Sequence, residues 1–479
     1  MSELLAYSTL LHAKDSWPEL PAIYDEYGVM SFSELFEEVE YLKKELIKLG
    51  LSQGSCTGVM ARNSRNFIVA IFAVLGTGSA VMPMSHQLKE AEISQILKEA
   101  ELNFILDDLN GANPIEKENK IIPLKINALR FNSTGRSGTF AAHVENAAFM
   151  RFTSGTTGNA KGVIISHKSA IERIEAANKM LNLGTSDCVI WVLPIAYHFV
   201  VSILLYIRYG AAIAIVKDFL PQNIVDITNL YKGTLLYASP MQIRLLSRIQ
   251  EQVSMPSLEH VISTSATISP DICNAFKNKY SIPVSQAYGI IEIGLPIINY
   301  DKSNEHPDAV GFALPDYIVE ILDEKGNVLE PNKIGHLAIK GPGMFDAYLN
   351  PPLKRNEVLE NGFFLTADYA SKSIEGLIKV EGRQLSMINV SGNKVFPEEV
   401  EGVLETIPEI KQARIIGVPH PLMGQVVQAE IVLHTGTYID SEEVLTYCRK
   451  RLSMFKIPQK LVIVNSLPMT GSGKIKRGE

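Results

Sequence analysis

The densest concentration of chemically useful residues in this chain is the ten-residue run 153–162, TSGTTGNAKG. Its glycines expose backbone N–H groups, Thr153, Ser154, Thr156 and Thr157 add hydroxyls, and Lys161 adds one cation. Clustered donors with a cation suit a polyphosphate. The run is not a Walker loop, because GxxxxGK[ST] would require Gly at Ala160 and Ser or Thr at Gly162. Such a loop needs rigid supports on both sides. The apolar runs 148–152 and 163–165 that flank it read as strands.

The wider chain supplies a frame for that loop. Short β-branched runs at 56–61, 81–83, 189–193, 211–216, 235–238 and 260–263 alternate with amphipathic stretches, which predicts parallel α/β layers. In 32–49, Phe32, Leu35, Phe36, Val39, Leu42, Leu46 and Leu49 recur at helical spacing and form one core face. From 310 to 339 the texture changes to short strands with glycine turns, 323–326 being one of them, so a β-rich subdomain follows. After Gly382 a helix opens at Pro397 with Glu398, Glu399 and Glu401, then come strands at 413–418 and 428–434 and a helix at 441–452. The fold class is α/β: a large N-terminal domain, 1–382, of parallel α/β layers plus the β-rich subdomain, and a small α+β C-terminal domain, 383–479.

Composition removes several function classes. With 45 Lys and Arg against 52 Asp and Glu, the net charge is -7, and no basic run tracks a phosphate backbone, so nucleic acid is not a partner. Cys56, Cys188, Cys273 and Cys448 lie far apart without CxxC or CxxH spacing, which argues against a zinc site or a disulfide framework and for a reducing cytoplasm. Ser2 and Glu3 stand where a signal peptide carries positive charge. The apolar stretch 67–82 is too short for a span and is broken by Gly76 and Gly78, so it reads as a buried helix, a turn and a strand, with no integral membrane segment.

The 153–162 loop resembles the phosphate loop, close to SGTTGxPKG, of the adenylate-forming superfamily of acyl-CoA synthetases, stand-alone adenylation domains and luciferases, with Ala160 in place of Pro. The resemblance extends over nearly the whole chain. Residues 286–294, QAYGIIEIG, are similar to the YGxTE segment, which implies Tyr288 and Gly289 against adenine and Glu292 on a magnesium ion bridging the ATP phosphates. Ile291 replaces the usual Thr and removes one phosphate hydrogen bond. Residues 263–267, STSAT, fall at the small-residue turn, placing Ser265 and Ala266 beside nucleotide and acid. The run Thr366-Ala367-Asp368 resembles TGD, implying that Asp368 accepts from the ribose hydroxyls, and Gly382-Arg383 resembles the hinge opening, implying that Arg383 reaches ribose or α-phosphate. The 391–401 run SGNKVFPEEVE, containing Lys394, resembles the loop presented during thioester formation, and 467–477, LPMTGSGKIKR, resembles the segment whose lysine, here Lys474, serves adenylation. Leu385 stands where relatives carry Asp or Lys at the hinge of a mobile C-terminal domain.

What the resemblance implies is ATP-dependent activation of a carboxylic acid to acyl-AMP and pyrophosphate, then transfer to coenzyme A, with ATP and Mg2+ as cofactors. Thr153, Ser154, Gly155, Thr156, Thr157, Gly158 and Lys161 hold phosphates, Glu292 the metal and Lys474 the developing charge. The acid is read near 194–199, PIAYHF, where Tyr197 and His198 replace the Asp that pairs with an amino group in amino-acid-activating relatives. A fatty or aryl acid is favoured over an amino acid. His198 reads equally as a gate or as a packed core histidine. Two alternatives stay open: transfer to the phosphopantetheine of an acyl carrier protein, and a noncatalytic homologue.

Overall fold

The computed structural model describes residues 5–110, 113–115, 119–152, 161–218, 220–383, 386–390, 393–421, 423–469 and 475. Two mixed sheets, each of nine strands among the described residues, form the body of the protein. In the first, six strands run parallel in the order Val284–Ile290, His260–Ser263, Leu235–Ala238, Cys188–Trp191, Ala212–Ile215 and Pro21–Asp25. In the second, Cys56–Ala61 is parallel to both Ala80–Ser85 and Phe104–Asp107, and Ala80–Ser85 carries Ala147–Phe152 as its other parallel neighbour. The predicted parallel α/β layers are therefore present, with antiparallel strands closing the edges.

One core joins the two sheets. Val189, Trp191, Leu235 and Ile262 of the first share it with Val59, Val81, Phe149 and Ile165 of the second, and helices fill the space between. The helix Phe32–Lys48 starts on a capping box, with Ser31 accepting from the Glu34 N–H and Glu34 returning the bond to the Ser31 N–H. Its Phe32, Leu35, Val39, Leu42 and Leu46 are fully buried, as their spacing predicts. The apolar run at 67–82 becomes the helix Arg65–Gly76, buried on every face, then a turn and the strand Ala80–Ser85. Among the described residues no helix is long and apolar enough to cross a membrane. On the outer face of the first sheet lie the helices Pro221–Leu230, Pro240–Ser247 and Pro270–Tyr280, each opening with proline, where the missing N–H costs nothing.

The β-rich subdomain is a four-stranded antiparallel sheet of Ile318–Leu322, Gly335–Lys340, Phe364–Lys372 and Ile378–Arg383. Beyond it, Ile388, Val395, Val400, Ile415 and Val444 belong to a separate core that contains no residue before Ile388. The C-terminal strands Ile410–His420 and Gly424–Leu433 begin several residues before their predicted starts, because the pair forms a long antiparallel ladder whose register extends them. The N-terminal hairpin of Pro21–Asp25 and Gly28–Ser31 has no comparable sequence signal. It is fixed by a buried ion pair in which Arg65 Nε donates to Asp25 Oδ2 at 2.8 Å, and by Arg65 Nη2 donating to the Gly28 carbonyl at 2.8 Å.

Candidate active site

Tyr288 lies near the end of Val284–Ile290, where the parallel sheet meets the antiparallel subdomain. Its hydroxyl donates to Asp368 Oδ2 at 2.6 Å. Asp368 is directly across the strand pair from Arg383, whose Nε lies 3.4 Å from Asp368 Oδ1. The Thr366 hydroxyl accepts from the Asp368 N–H at 3.1 Å, so the aspartate is fixed from both its backbone and its side chain. Burial and the adjacent aspartate push the Tyr288 phenol well above its ordinary range, which keeps it a donor. Three motifs separated by up to 95 residues thus converge on one carboxylate. Gly289 has a local reason as well: a Cβ there would lie 2.6 Å from the Gly294 carbonyl oxygen.

Glu292 follows in a turn, where its carbonyl accepts from the Phe345 N–H at 2.7 Å. Burial raises its carboxyl pKa, while its own backbone contact and the cations Arg151, Arg173 and Lys161 act in the opposite direction. Tyr348, from the short strand Ala347–Tyr348, lies beside the Glu292 carboxylate, burial and that charge together raising the phenol's pKa, and Lys161 Nζ stands 4.8 Å from the centre of the Tyr348 ring. The lysine that closes the glycine-rich run and the carboxylate of the YGxxE segment therefore meet on the two sides of one tyrosine. Arg173, fully buried on the helix His167–Leu181, donates from Nε and Nη2 to the Gly343 carbonyl at 2.9 and 2.6 Å and from Nη1 to the Ile291 carbonyl at 3.1 Å. It ties the turn before Glu292 to the loop that leads to Phe345 and Tyr348.

On the other side of Glu292, Tyr197 and His198 sit in the short helix Ile195–His198. The Tyr197 carbonyl accepts from Arg151 Nη1, and the guanidinium lies over the Tyr197 ring at 4.8 Å. His198 packs edge-on to Trp191 at 5.8 Å and to Tyr237 at 6.2 Å. Arg151, Tyr197, His198 and Ile291 border a cavity of about 20 Å³ whose other walls are mostly apolar. His198 is thus both packed and at the cavity wall, so the two readings of it are compatible. In 263–267, Ser263 and Thr264 are buried, whereas Ser265 and Ala266 are exposed just past the strand His260–Ser263. Ser265 has φ 75°, a left-handed conformation uncommon for a residue with a side chain.

Thr153, Ser154, Gly155, Thr156, Thr157, Gly158, Leu385, Ser391, Gly392 and Lys474 lie outside the described residues. Lys394 falls in the strand Asn393–Val395, with its side chain outside them. Sequence reasoning missed Arg151, Arg173 and Tyr348. The available signals were a charge inside the apolar run AAFMRF for Arg151 and a cation on the buried face of an amphipathic helix for Arg173. Among the described residues no three His, Cys, Asp or Glu side chains gather as a metal site. One carboxylate sharing a magnesium ion with nucleotide phosphates fits the way that ion is usually held.

Residues 10–349 match the family model of AMP-binding enzymes, and 399–474 match that of the AMP-binding enzyme C-terminal domain. The chain belongs to the AMP-binding enzyme family, within the adenylate-forming superfamily. Among its relatives are an uncharacterised acyl-CoA ligase of Bacillus subtilis, 26% identical over 94% of this chain and 89% of that protein, and the 2-succinylbenzoate–CoA ligase of a Geobacillus species, 25% identical over 96% and 94%. The solved structure of o-succinylbenzoate CoA synthetase from Bacillus subtilis with its acyl-adenylate intermediate superposes with a TM-score of 0.84 at 22% identity, covering 98% of this chain and 96% of that one. That likeness speaks for the fold.

Proposed function

We propose that the protein is an AMP-forming acid–thiol ligase, which converts a carboxylic acid to its acyl-AMP and then to a thioester of coenzyme A. The observation that carries this reading is the junction at Glu292. A ribose-type acceptor, Asp368 with Tyr288 and Arg383, lies on one side, and a phosphate-type cation, Lys161, joins Glu292 through Tyr348 on the other. A carboxylate resists attack by a thiol because oxide is a poor leaving group. In the first step its oxygen forms a bond to the α-phosphorus of ATP while the bond to the bridging oxygen breaks and pyrophosphate leaves. In the second, thiolate sulfur attacks the acyl carbon and AMP departs.

No protein nucleophile is required, so positioning and charge neutralisation supply the rate. Tyr288 and Gly289 flank the adenine, with Ser265 and Ala266 on the adjoining turn. Asp368 accepts from the ribose, and Arg383 reaches the ribose or α-phosphate. Thr153 to Gly158 and Lys161 take the outer phosphates, and Lys474 meets the charge building between carboxylate and α-phosphate. Glu292 would hold magnesium, which neutralises phosphate charge when bound. We place the domain boundary at 382/383 and the rotation that exchanges Lys474 for the 391–394 loop at Leu385. The four described thiols are all buried and free, in keeping with a reducing cytoplasm.

For the acid, Tyr197 and His198, standing where amino-acid-activating relatives carry Asp, favour a fatty or aryl acid over an amino acid. Pyrophosphate exchange across short-, medium- and long-chain fatty acids, benzoate, succinate and amino acids tests the activity and names the acid. Exchange with none of them refutes the reading, and exchange only with amino acids refutes the acid class. Thioester formation assayed with coenzyme A and with phosphopantetheinylated carrier proteins separates the two acceptors.

A further inference from the structure

The two arginines that face Glu292 are satisfied to different degrees. Arg173 spends Nε, Nη1 and Nη2 on the carbonyls of Ile291 and Gly343. Arg151, in the strand Ala147–Phe152, spends Nη1 on the Tyr197 carbonyl, while its Nε is buried without a hydrogen-bond partner. Among the described residues Arg151 has no ion pair. A buried guanidinium with an idle donor is costly unless an acceptor arrives. Burial brings its pKa down to about 10, so it still carries its charge at neutral pH.

What it faces restricts the acceptor. Arg151 lines the cavity together with Tyr197, His198 and Ile291, and the remaining walls include Pro83 and Phe149. Among the described residues no protein acceptor meets the Arg151 Nε. The position is also two residues before Thr153, where the phosphate-binding run begins. Ile291, which lines the same cavity, presents hydrocarbon where the YGxTE pattern has a hydroxyl.

Building on the proposed acid–thiol ligase activity, we propose that Arg151 binds the carboxylate of the acid substrate, directing one oxygen towards ATP from the side that Ile291 leaves without a donor. Its charge also offsets the repulsion between that carboxylate and the phosphates, which a hydroxyl at 291 would not do. Once acyl-AMP has formed, the carboxylate charge is gone and the demand on Arg151 falls.

The test uses the full-length enzyme with the acid that gives the fastest pyrophosphate exchange, and compares Arg151→Met with Arg151→Lys. The Met variant is expected to raise the KM for the acid on the order of 30- to 100-fold, the scale of losing a hydrogen bond to a charged group. The KM for ATP and the calorimetric binding of Mg-ATP should remain near the parent values. Thiolysis of the synthetic acyl-AMP should remain near parent too. The Lys variant, a point charge without the planar fork, should recover part of the acid affinity. Parallel loss of acid and ATP affinity, or thiolysis falling as far as adenylation, overturns the assignment and makes Arg151 a support for the neighbouring loop. Loss of Mg-ATP binding in both variants has the same meaning. A parent enzyme that activates no acid overturns instead the activity on which the proposal rests.

Discussion

Removing a single oxygen atom tests whether Glu292 is held for metal binding. In Tyr348→Phe the ring keeps its place: it is 3% exposed, packs 4.8 Å from the Phe345 ring, and retains its face towards Lys161, since a phenylalanine ring attracts the ammonium nearly as a phenol does. What disappears is the hydroxyl set beside the Glu292 carboxylate, where burial and that neighbouring charge raise the phenol's pKa. A hydrogen bond to a charged group contributes about 1.5–3 kcal/mol, or roughly a 10- to 150-fold change in an equilibrium constant. Arg151, Arg173 and Lys161 continue to draw on the same carboxylate, so the lower end applies. The magnesium concentration for half-maximal pyrophosphate exchange should therefore rise by about 10-fold, with the KM for the acid unchanged. Binding of ATP without magnesium, followed by calorimetry, should not move. If the magnesium dependence matches the parent while thermal stability falls, Tyr348 is a packing residue and the carboxylate does not depend on it.

Three further outcomes follow from other parts of the molecule. His167 is buried and its ring is held down to about 4 from the ordinary 6.5, with Nδ1 accepting from the Ala6 N–H at 3.2 Å; the folded state keeps it neutral while the unfolded chain protonates it, so its contribution is fully present above pH 6.5 and about 3 kcal/mol is lost as pH falls towards 4. Denaturation followed by tryptophan fluorescence should show that loss, His167→Asn should reduce it, and equal pH slopes in the two proteins would contradict the assignment. Lys474→Ala should slow adenylation on the order of 10²–10³-fold yet spare thiolysis of synthetic acyl-AMP, and comparable losses in both assays would sink the exchange of domain positions. Arg244 pairs with Glu405 and donates to the Lys411 carbonyl at 3.3 Å, joining the helix Pro240–Ser247 to the C-terminal domain; Arg244→Ala should weaken that docking by about 1 kcal/mol, read as faster proteolysis between 383 and 390, and an unchanged cleavage rate would show the contact to be incidental.

What the sequence disclosed depended on the range over which each signal acts. The strands at 56–61, 235–238 and 260–263 form where their apolar runs lie, because a strand buried on both faces needs little beyond its own composition. Tyr288, Glu292, Asp368 and Arg383 were legible as candidates because each sits in a short motif. The side chains supporting them were not. Arg173 finds its acceptors 118 and 170 residues away, and only the register of the finished fold brings those carbonyls together. Tyr348 meets Lys161 and Glu292 through a two-residue strand paired to Gly162–Ser166, an element too short for any periodicity to register. The Arg65–Asp25 pair that anchors the N-terminal hairpin spans 40 residues and is invisible for the same reason.

The departures from the family pattern bear on whether this is a working enzyme or a noncatalytic homologue, and they are not equivalent physically. Ala367, where TGD has glycine, is an exposed residue of the strand Phe364–Lys372 and has no positive φ, so the backbone there makes no demand that only glycine meets. Asp368 is placed by Thr366, Tyr288 and Arg383, none of which the alanine disturbs. Ile291 is different, since its side chain enters the cavity wall while its carbonyl is taken by Arg173. The substitution removes a hydroxyl without loosening the turn that carries Glu292. The Arg151 guanidinium keeps a buried Nε without a hydrogen-bond partner among the described residues, and that idle donor costs stability for as long as no acceptor meets it. The cost is intelligible if the anion comes and goes with each turnover, which favours the working enzyme and makes Arg151, more than Leu385, the residue on which the distinction should be tested.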